Sequence, residues 1–124
     1  MITAVPGSSD YYLGGILAYH NRVKESALQV PPAVLTKYGA VSAETAKLMA
    51  SNVRQLLGSD IGIGITGIAG PGGGSKKKPV GLVYFAISDK KKISVRELRL
   101  RGSRAEIRSR AANEVLNSLR LSLA

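Results

Sequence analysis

One lysine, Lys24, has sequence surroundings that suit a catalytic base. It follows the apolar run of residues 13–19 and lies within a helical turn of Tyr19 and Asn21. A lysine that is partly desolvated at a strand end has a lowered pKa and can accept a proton from a hydroxyl nucleophile. The alternative is a solvated surface lysine, which spacing alone favours. His20, the single histidine, has no adjacent serine and carboxylate and is expected to be a polar residue at the strand end.

A glycine-rich segment, residues 66–75, is the second feature that could carry chemistry. Its sequence is Thr-Gly-Ile-Ala-Gly-Pro-Gly-Gly-Gly-Ser. Backbone without side chains lets N–H groups converge on an anion or on a carbonyl oxygen. The segment lacks the Gly-Lys-Ser/Thr ending of a Walker loop, and it has no G-x-G-x-x-G ahead of a helix. A ligand-binding loop and a flexible lead-in to a hairpin therefore both stay open.

Basic residues surround the strand that follows this loop. Three lysines precede it at residues 76–78, three more follow it at residues 90–92, and six arginines lie between residues 96 and 110. Together they would attract phosphates, although solvated turns that raise solubility are the commoner meaning of such runs. Nucleic acid is disfavoured as a partner because aromatic residues are not interleaved with the basic ones.

The composition restricts the classes of function. The 124 residues carry a formal charge of +10, with no cysteine and one histidine. These counts exclude thiolate zinc sites, iron-sulfur clusters, cysteine nucleophiles and multi-histidine metal sites, so neither a metal nor a cofactor is expected. No apolar run is long enough for a membrane span, and the first residues lack the pattern of a signal peptide. The sequence therefore predicts a soluble cytoplasmic protein that makes no membrane contact.

Periodicity predicts the helices that must position these residues. The apolar run 13–19 is expected to be a buried strand, after which Asn21 caps a short helix over residues 23–28. Capping residues, prolines and glycines delimit three further helices. These are bounded by residues 31 and 39, by residues 42 and 58, and by residue 103 and the end of the chain.

The pattern of apolar residues along the sequence also predicts the strands. Residues 60–66 alternate isoleucine with glycine. The isoleucine face of this strand is therefore expected to pack, and the glycine face to allow another group to approach closely. Residues 80–87 form a continuous apolar strand of the kind that is covered on both faces. The next strand changes its apolar parity, which predicts a bulge near Arg96 and Glu97. Strands interleaved with helices give an α/β fold, and the hairpin favours a mixed sheet.

Five stretches of the chain form an ordered set. They are V-P-G-S-S through G-G at residues 5–15, Y-H-N-R-V-K at 19–24, Y-G-A-V-S at 38–42, T-G-I-A-G-P-G-G-G at 66–74 and K-P-V-G-L-V-Y at 78–84. This set resembles the C-terminal domain family of the competence/damage-inducible protein CinA, which is also found alone as nicotinamide mononucleotide deamidase. The resemblance runs from about residue 3 to the end of the chain.

The resemblance implies a three-layer α/β/α domain that hydrolyses the carboxamide of nicotinamide mononucleotide. The products are nicotinate mononucleotide and ammonia, no metal takes part, and a pyridine mononucleotide is the expected partner. Lys24 would be the base and Tyr19 would help to position it. The residues implied to contact the substrate are Asn21, Thr66, Gly67, Gly70 and Arg104. Among these, Thr66 and the glycine backbone would line the amide or oxyanion side, and Arg104 would meet negative charge.

Two departures from the family pattern limit what the resemblance implies. His20 stands where the family has the serine of Y-S-N. The family also has an E-S-C-T-G-G segment, with the expected serine nucleophile, upstream of its P-G-S-S motif. Residues 1–124 contain neither that segment nor the family's first strand. We therefore expect a single N-terminally truncated domain, with a catalytically silent nucleotide-binding or oligomerisation domain as the alternative. A homo-oligomer would cover the exposed core edge.

Overall fold

The computed structural model describes residues 2–123, and within them it contains four α-helices and three β-strands. In chain order these are α1 (Asn21–Ser26), α2 (Pro32–Tyr38), α3 (Ala43–Leu57), β1 (Gly62–Gly67), β2 (Leu82–Ser88), β3 (Ile93–Arg99) and α4 (Arg104–Leu123). Two short 3-10 turns, Ile2–Ala4 and Ser8–Asp10, precede them. The predicted α/β class is confirmed.

The ends of the two long helices follow the local signals in the sequence. Ser42 caps α3, because its Oγ accepts a hydrogen bond from the Thr45 N–H at 3.2 Å, and Gly58 ends the helix at φ 64°. At the start of α4, the Glu106 N–H donates to Ser103 Oγ at 3.2 Å and the Ser103 N–H donates to Glu106 Oε1 at 3.0 Å. Both predicted caps, including this reciprocal capping box, are confirmed.

The region before α1 differs from its prediction in two respects. Residues 13–19 form no regular strand, and Leu17 is 89% exposed. The predicted buried strand is wrong because no described strand pairs with this run, although Ile16 packs on the core. The cap of α1 is His20, whose Nδ1 accepts from the Arg22 N–H at 3.0 Å, so the predicted cap is displaced by one residue.

The sheet has the order β1-β2-β3, and both pairs of neighbouring strands are antiparallel. The predicted hairpin of β2 and β3 is confirmed. The expected mixed character is not found among residues 2–123, because the loop from 68 to 81 returns the chain beside β1 without a helical crossover.

The predicted bulge in β3 is wrong. Pairing with β2 continues one to one from Leu82 opposite Arg99 to Ser88 opposite Ile93. The change of parity arises because the two faces of β3 pack against different helices. Val95 packs against the small-residue cluster beneath α3, and Leu98 belongs to the core cluster beneath α4.

Helices cover both faces of the sheet, as expected of a three-layer α/β/α domain. On one face, small side chains allow α3 to approach β2 closely; they are Ala46, Ala50 and Ala86. On the other face, larger apolar side chains of α4 and the strands form the main core; they are Ile107, Ala111, Val115, Val83, Phe85 and Leu98. The layered arrangement is therefore confirmed.

The glycine face of β1 is filled by α3. A Cβ at Gly64 would lie 2.5 Å from the Ala46 carbonyl oxygen and 2.8 Å from Met49 Cβ, and one at Gly62 would collide with the Ala50 carbonyl oxygen. The close approach predicted from the alternation is thus an approach of a helix. It does not leave an open face for a ligand.

Candidate functional site

Lys24 is buried, with 6% of its surface exposed. Its Nζ donates a hydrogen bond to the Ala18 carbonyl oxygen at 2.8 Å. Among residues 2–123 no carboxylate lies within ion-pair distance of this ammonium. Burial lowers the pKa of Lys24 below its ordinary value, because desolvation disfavours the charged amine.

The backbone of Lys24 is fixed from both sides. Its N–H donates to the His20 carbonyl oxygen at 3.3 Å within α1, and its own carbonyl oxygen accepts from the Val30 N–H at 3.0 Å. The chain therefore turns back immediately after α1, and Leu28 and Val30 enter the core. A fixed backbone and a single hydrogen bond together define the direction of the Lys24 side chain.

Two other predicted site residues, both close to Lys24 in sequence, are at the surface. Tyr19 is 81% exposed, and Asn21 is also exposed. The Lys24 ammonium donates to the carbonyl oxygen of Ala18, and the positioning role of Tyr19 stays a prediction. Sequence reasoning missed Ala18 because a carbonyl oxygen carries no residue-specific signal.

Thr66 lies buried at the end of β1, with 7% of its surface exposed. Its Oγ1 donates a hydrogen bond to the Ala40 carbonyl oxygen at 2.7 Å. The hydroxyl proton is therefore committed to the turn between α2 and α3, while the oxygen retains acceptor capacity. Gly67 follows at the surface, where β1 ends.

Three successive carbonyl groups of that turn accept hydrogen bonds from side chains. The Tyr38 oxygen accepts from Lys78 Nζ at 2.6 Å. The Gly39 oxygen accepts two hydrogen bonds, from Ser42 Oγ at 2.9 Å and from Thr45 Oγ1 at 2.7 Å. The Ala40 oxygen accepts from Thr66 Oγ1 at 2.7 Å. The turn is thus held by α3, by the end of β1 and by the end of the glycine-rich loop. Sequence reasoning missed Lys78, which was hidden in a run of three lysines.

The glycine-rich loop is joined to α4 by Arg104. The Arg104 guanidinium donates through Nη1 to the carbonyl oxygen of the buried residue Gly70 at 2.9 Å. Gly70 has φ 79°, a left-handed conformation that favours glycine. Two of the residues predicted to contact substrate are therefore in direct contact.

The loop presents unused hydrogen-bond donors. Within residues 2–123, the backbone N–H groups of Ala69, Gly70 and residues 72–74 have no protein acceptor. An open depression of about 390 Å³ lies over residues 72–74 and their neighbours, but Ala69 and the buried Gly70 do not line it. It is lined by Pro71, Gly72, Gly73, Gly74, Ser75, Lys76, Pro79 and Val80. Free amides beside a shallow concavity can bind an anion or a carbonyl oxygen.

The predicted site residues thus fall into two groups. Thr66, Gly67 and Gly70 lie at the start of the glycine-rich loop, where Arg104 contacts Gly70, whereas Lys24 lies in the last turn of α1. In the described part of the chain no hydrogen bond joins the two groups. They are linked by packing, since the residues whose carbonyl groups hold Lys24 and Thr66 are Ala18 and Ala40, and both pack against the same core cluster.

Exposed carboxylates compensate some of the basic residues that surround β2. The ion pairs are Lys90 with Asp60, Arg96 with Glu114, Arg99 with Glu97, and Arg110 with Glu106, at N–O distances of 3.4 to 4.0 Å. Exposed pairs of this kind contribute little to stability. In residues 2–123 there is no group of three or more acidic or histidine side chains that could hold a metal ion. None of the helices described is long and apolar enough to cross a membrane.

Comparison with known proteins places these features in a family. The family model of the CinA C-terminal domain matches residues 1–123. A competence-damage inducible protein of Moorella thermoacetica is 52% identical over 98% of this chain, and a CinA-like protein of Synechococcus sp. strain RCC307 is 51% identical over 98% of it. The chain spans about 30% of the length of these two relatives.

Solved structures give the same result. The competence/damage inducible protein CihA of Agrobacterium tumefaciens matches with a TM-score of 0.92 at 38% identity, covering 94% of this chain and 72% of that one. A CinA superfamily protein of Enterobacter cloacae matches with a TM-score of 0.94 at 29% identity, covering 99% of this chain and 73% of that one. The predicted family is therefore confirmed, and the chain belongs to the CinA C-terminal domain family.

Proposed function

We propose that the chain is the amide-hydrolysing domain of a pyridine mononucleotide amidase, which converts nicotinamide mononucleotide and water into nicotinate mononucleotide and ammonia. The observation that carries the proposal is Lys24, a buried ammonium with no carboxylate within ion-pair distance among residues 2–123. A buried charge without a counter-ion opposes folding, and lysines of this kind cluster at functional sites. The resemblance of Y-H-N-R-V-K to the family's lysine motif supports the same assignment.

Lys24 would act as the base toward a hydroxyl nucleophile, which is the serine of the family's E-S-C-T-G-G segment. A lowered pKa increases the neutral fraction of the amine near pH 7, and a neutral amine has two N–H bonds and one lone pair. One N–H donates to the Ala18 carbonyl oxygen, which leaves the lone pair free to accept the hydroxyl proton. The hydroxyl oxygen then bonds to the carboxamide carbon and forms a tetrahedral intermediate.

Collapse of this intermediate releases ammonia. The Lys24 ammonium gives its proton to the amide nitrogen, the C–N bond breaks, and an acyl ester remains. Water then attacks the ester while Lys24 accepts its proton, and the carboxylate product leaves with the hydroxyl restored. The free amides of residues 72–74, which line the depression, would donate hydrogen bonds to the oxyanion or to the phosphate of the nucleotide.

Arg104 would add a cation to the same side of the site. Its bond to the Gly70 oxygen uses Nη1, and a guanidinium has five N–H donors, so donors remain for an anionic group of the substrate. Thr66 would fix the start of the loop through its bond to Ala40.

The test is ammonia release from nicotinamide mononucleotide by a version of the chain that carries the family's E-S-C-T-G-G segment at its N-terminus. Lys24→Met keeps the apolar stem and should reduce the rate about a hundredfold or more. Lys24→Arg should fail similarly, because a guanidinium stays charged. Lys47→Met, at an exposed position of α3, is the matched control and should retain activity. Persistent activity in both Lys24 variants would contradict the proposal.

A catalytically silent nucleotide-binding domain is the second candidate. It is favoured by the hydrogen bond of Lys24, because within residues 2–123 the ammonium donates to a backbone oxygen and not to a hydroxyl. Calorimetry with nicotinamide mononucleotide separates the two candidates when it is combined with the ammonia assay. Binding without turnover supports the second candidate, and the absence of binding contradicts both.

A further inference from the structure

Lys78 ties the end of the glycine-rich loop to the turn between α2 and α3. We propose that Lys78 is a positioning residue, which holds the glycine-rich loop in the shape that directs the free N–H groups of residues 72–74 toward an anionic ligand. The nature of that ligand rests on the proposed function. The positioning itself rests on the geometry of the loop.

The ammonium of Lys78 is in close contact with the turn. Its Nζ donates to the Tyr38 carbonyl oxygen at 2.6 Å, across 40 residues of sequence. A Cβ at Gly39 would lie 2.7 Å from the same Nζ, so the absence of a side chain at Gly39 makes room for the ammonium. Lys78 is half-buried, whereas Lys76 and Lys77 are exposed. One lysine of the run is therefore a structural contact and the other two are solvated.

Lys78 also closes the loop through its backbone. Its N–H donates to Ser75 Oγ at 3.0 Å, and its carbonyl oxygen accepts from the Ser75 N–H at 2.8 Å. At the other end of the loop, Arg104 holds the Gly70 carbonyl oxygen. Residues 71–74 thus lie between two residues, Gly70 and Ser75, that hydrogen bonds hold in place. Within residues 2–123, none of these four donates or accepts a hydrogen bond of its own.

The position of the Tyr38 carbonyl group strengthens its hydrogen bond with Lys78. Tyr38 is the last residue of α2, and the carbonyl end of a helix attracts a cation. A hydrogen bond from an ammonium is also stronger than one between neutral groups. The bond to the Tyr38 oxygen fixes the direction of the Lys78 side chain, and through it the shape of the loop.

The experiment compares Lys78→Met with Lys77→Met in the 124-residue chain. Both variants remove one positive charge from the same loop and keep an apolar stem, but only the first removes the bond to Tyr38. Hydrogen exchange of the Ser75 amide, whose N–H donates to the Lys78 carbonyl oxygen, should accelerate about tenfold in Lys78→Met and remain unchanged in Lys77→Met. Exchange of α4 provides the internal reference, because global destabilisation would accelerate it too. Lys78→Arg, which keeps a cationic donor, should restore most of the protection.

Affinity for nicotinamide mononucleotide, measured by calorimetry, gives the second readout. Lys78→Met should weaken binding about tenfold, and Lys77→Met by less than threefold. Equal losses of affinity in the two variants would show that only charge matters and would overturn the proposal, as would unchanged exchange in Lys78→Met. If exchange changes as expected but the unmodified chain does not bind this nucleotide, the positioning role stands and the proposed function fails.

Discussion

Replacing Gly64 by alanine should destabilise the domain, because α3 fills the face of β1 on which Gly64 lies. A Cβ there would be 2.5 Å from the Ala46 carbonyl oxygen, 2.7 Å from the Ala50 nitrogen and 2.8 Å from Met49 Cβ. Since ordinary contacts of a Cβ begin near 3.4 Å, the helix must retreat from the strand by about 1 Å. Two of the three atoms belong to the helix backbone, so a change of rotamer cannot relieve the clash.

Two opposing effects set the size of the change. Overpacking of a core contact costs about 1–3 kcal/mol, and the upper part of this range applies when backbone must move. Alanine in a strand recovers roughly 0.5–1 kcal/mol relative to glycine. The free energy of unfolding should therefore fall by about 2 kcal/mol, which lowers the urea midpoint by about 1 M.

Urea unfolding followed by circular dichroism measures this change. Gly72→Ala is the matched control, because a Cβ at Gly72 meets no atom within 4 Å, and its midpoint should stay close to that of the unmodified chain. A loss below about 0.5 kcal/mol for Gly64→Ala would refute the reasoning. It would mean that the glycine face is not closed by α3 and is accessible to a ligand.

Three further predictions concern single hydrogen bonds and one ionisation. Thr66→Val leaves the Ala40 oxygen without its donor and should cost about 1–3 kcal/mol in urea unfolding, whereas Thr66→Ser should cost less than half as much. Ser103→Ala removes the cap of α4 and should cost about 1 kcal/mol in the same measurement. Burial lowers the pKa of Lys24 in the folded state, so the unfolded chain binds more protons between that pKa and the ordinary lysine pKa. Stability should therefore rise with pH through this window, and Lys24→Met should lack this rise in urea titrations at several pH values.

Signals confined to a few residues predicted the helix boundaries well. The cap at Ser42, the end at Gly58 and the Ser103–Glu106 pair each depend on neighbours within one turn. Two features that depend on distant partners were predicted wrongly. The apolar run 13–19 has the composition of a strand, but whether an extended chain joins a sheet depends on a neighbouring strand. The parity change in β3 was interpreted as a bulge because the sequence does not show that two helices cover its two faces.

In the candidate site, too, local sequence signals were predictive and contacts with distant residues were not. The apolar run before Lys24 made its desolvation predictable, and the burial of its side chain agrees. The partner of its ammonium was not predictable, because that partner is a backbone carbonyl group. Lys78 could not be distinguished from Lys77 by sequence, since the difference between them is a contact with Tyr38 on another helix.

The most direct test of the proposed mechanism is the pH dependence of kcat/KM for ammonia release from nicotinamide mononucleotide. It is measured on the version of the chain that carries the E-S-C-T-G-G segment. If Lys24 is the base, kcat/KM should rise with pH along a single ionisation, and its apparent pKa should lie below the ordinary lysine value because burial lowers it. A rate that does not change with pH across that range, or one that Lys24→Arg leaves intact, would contradict the assignment of Lys24 as the base.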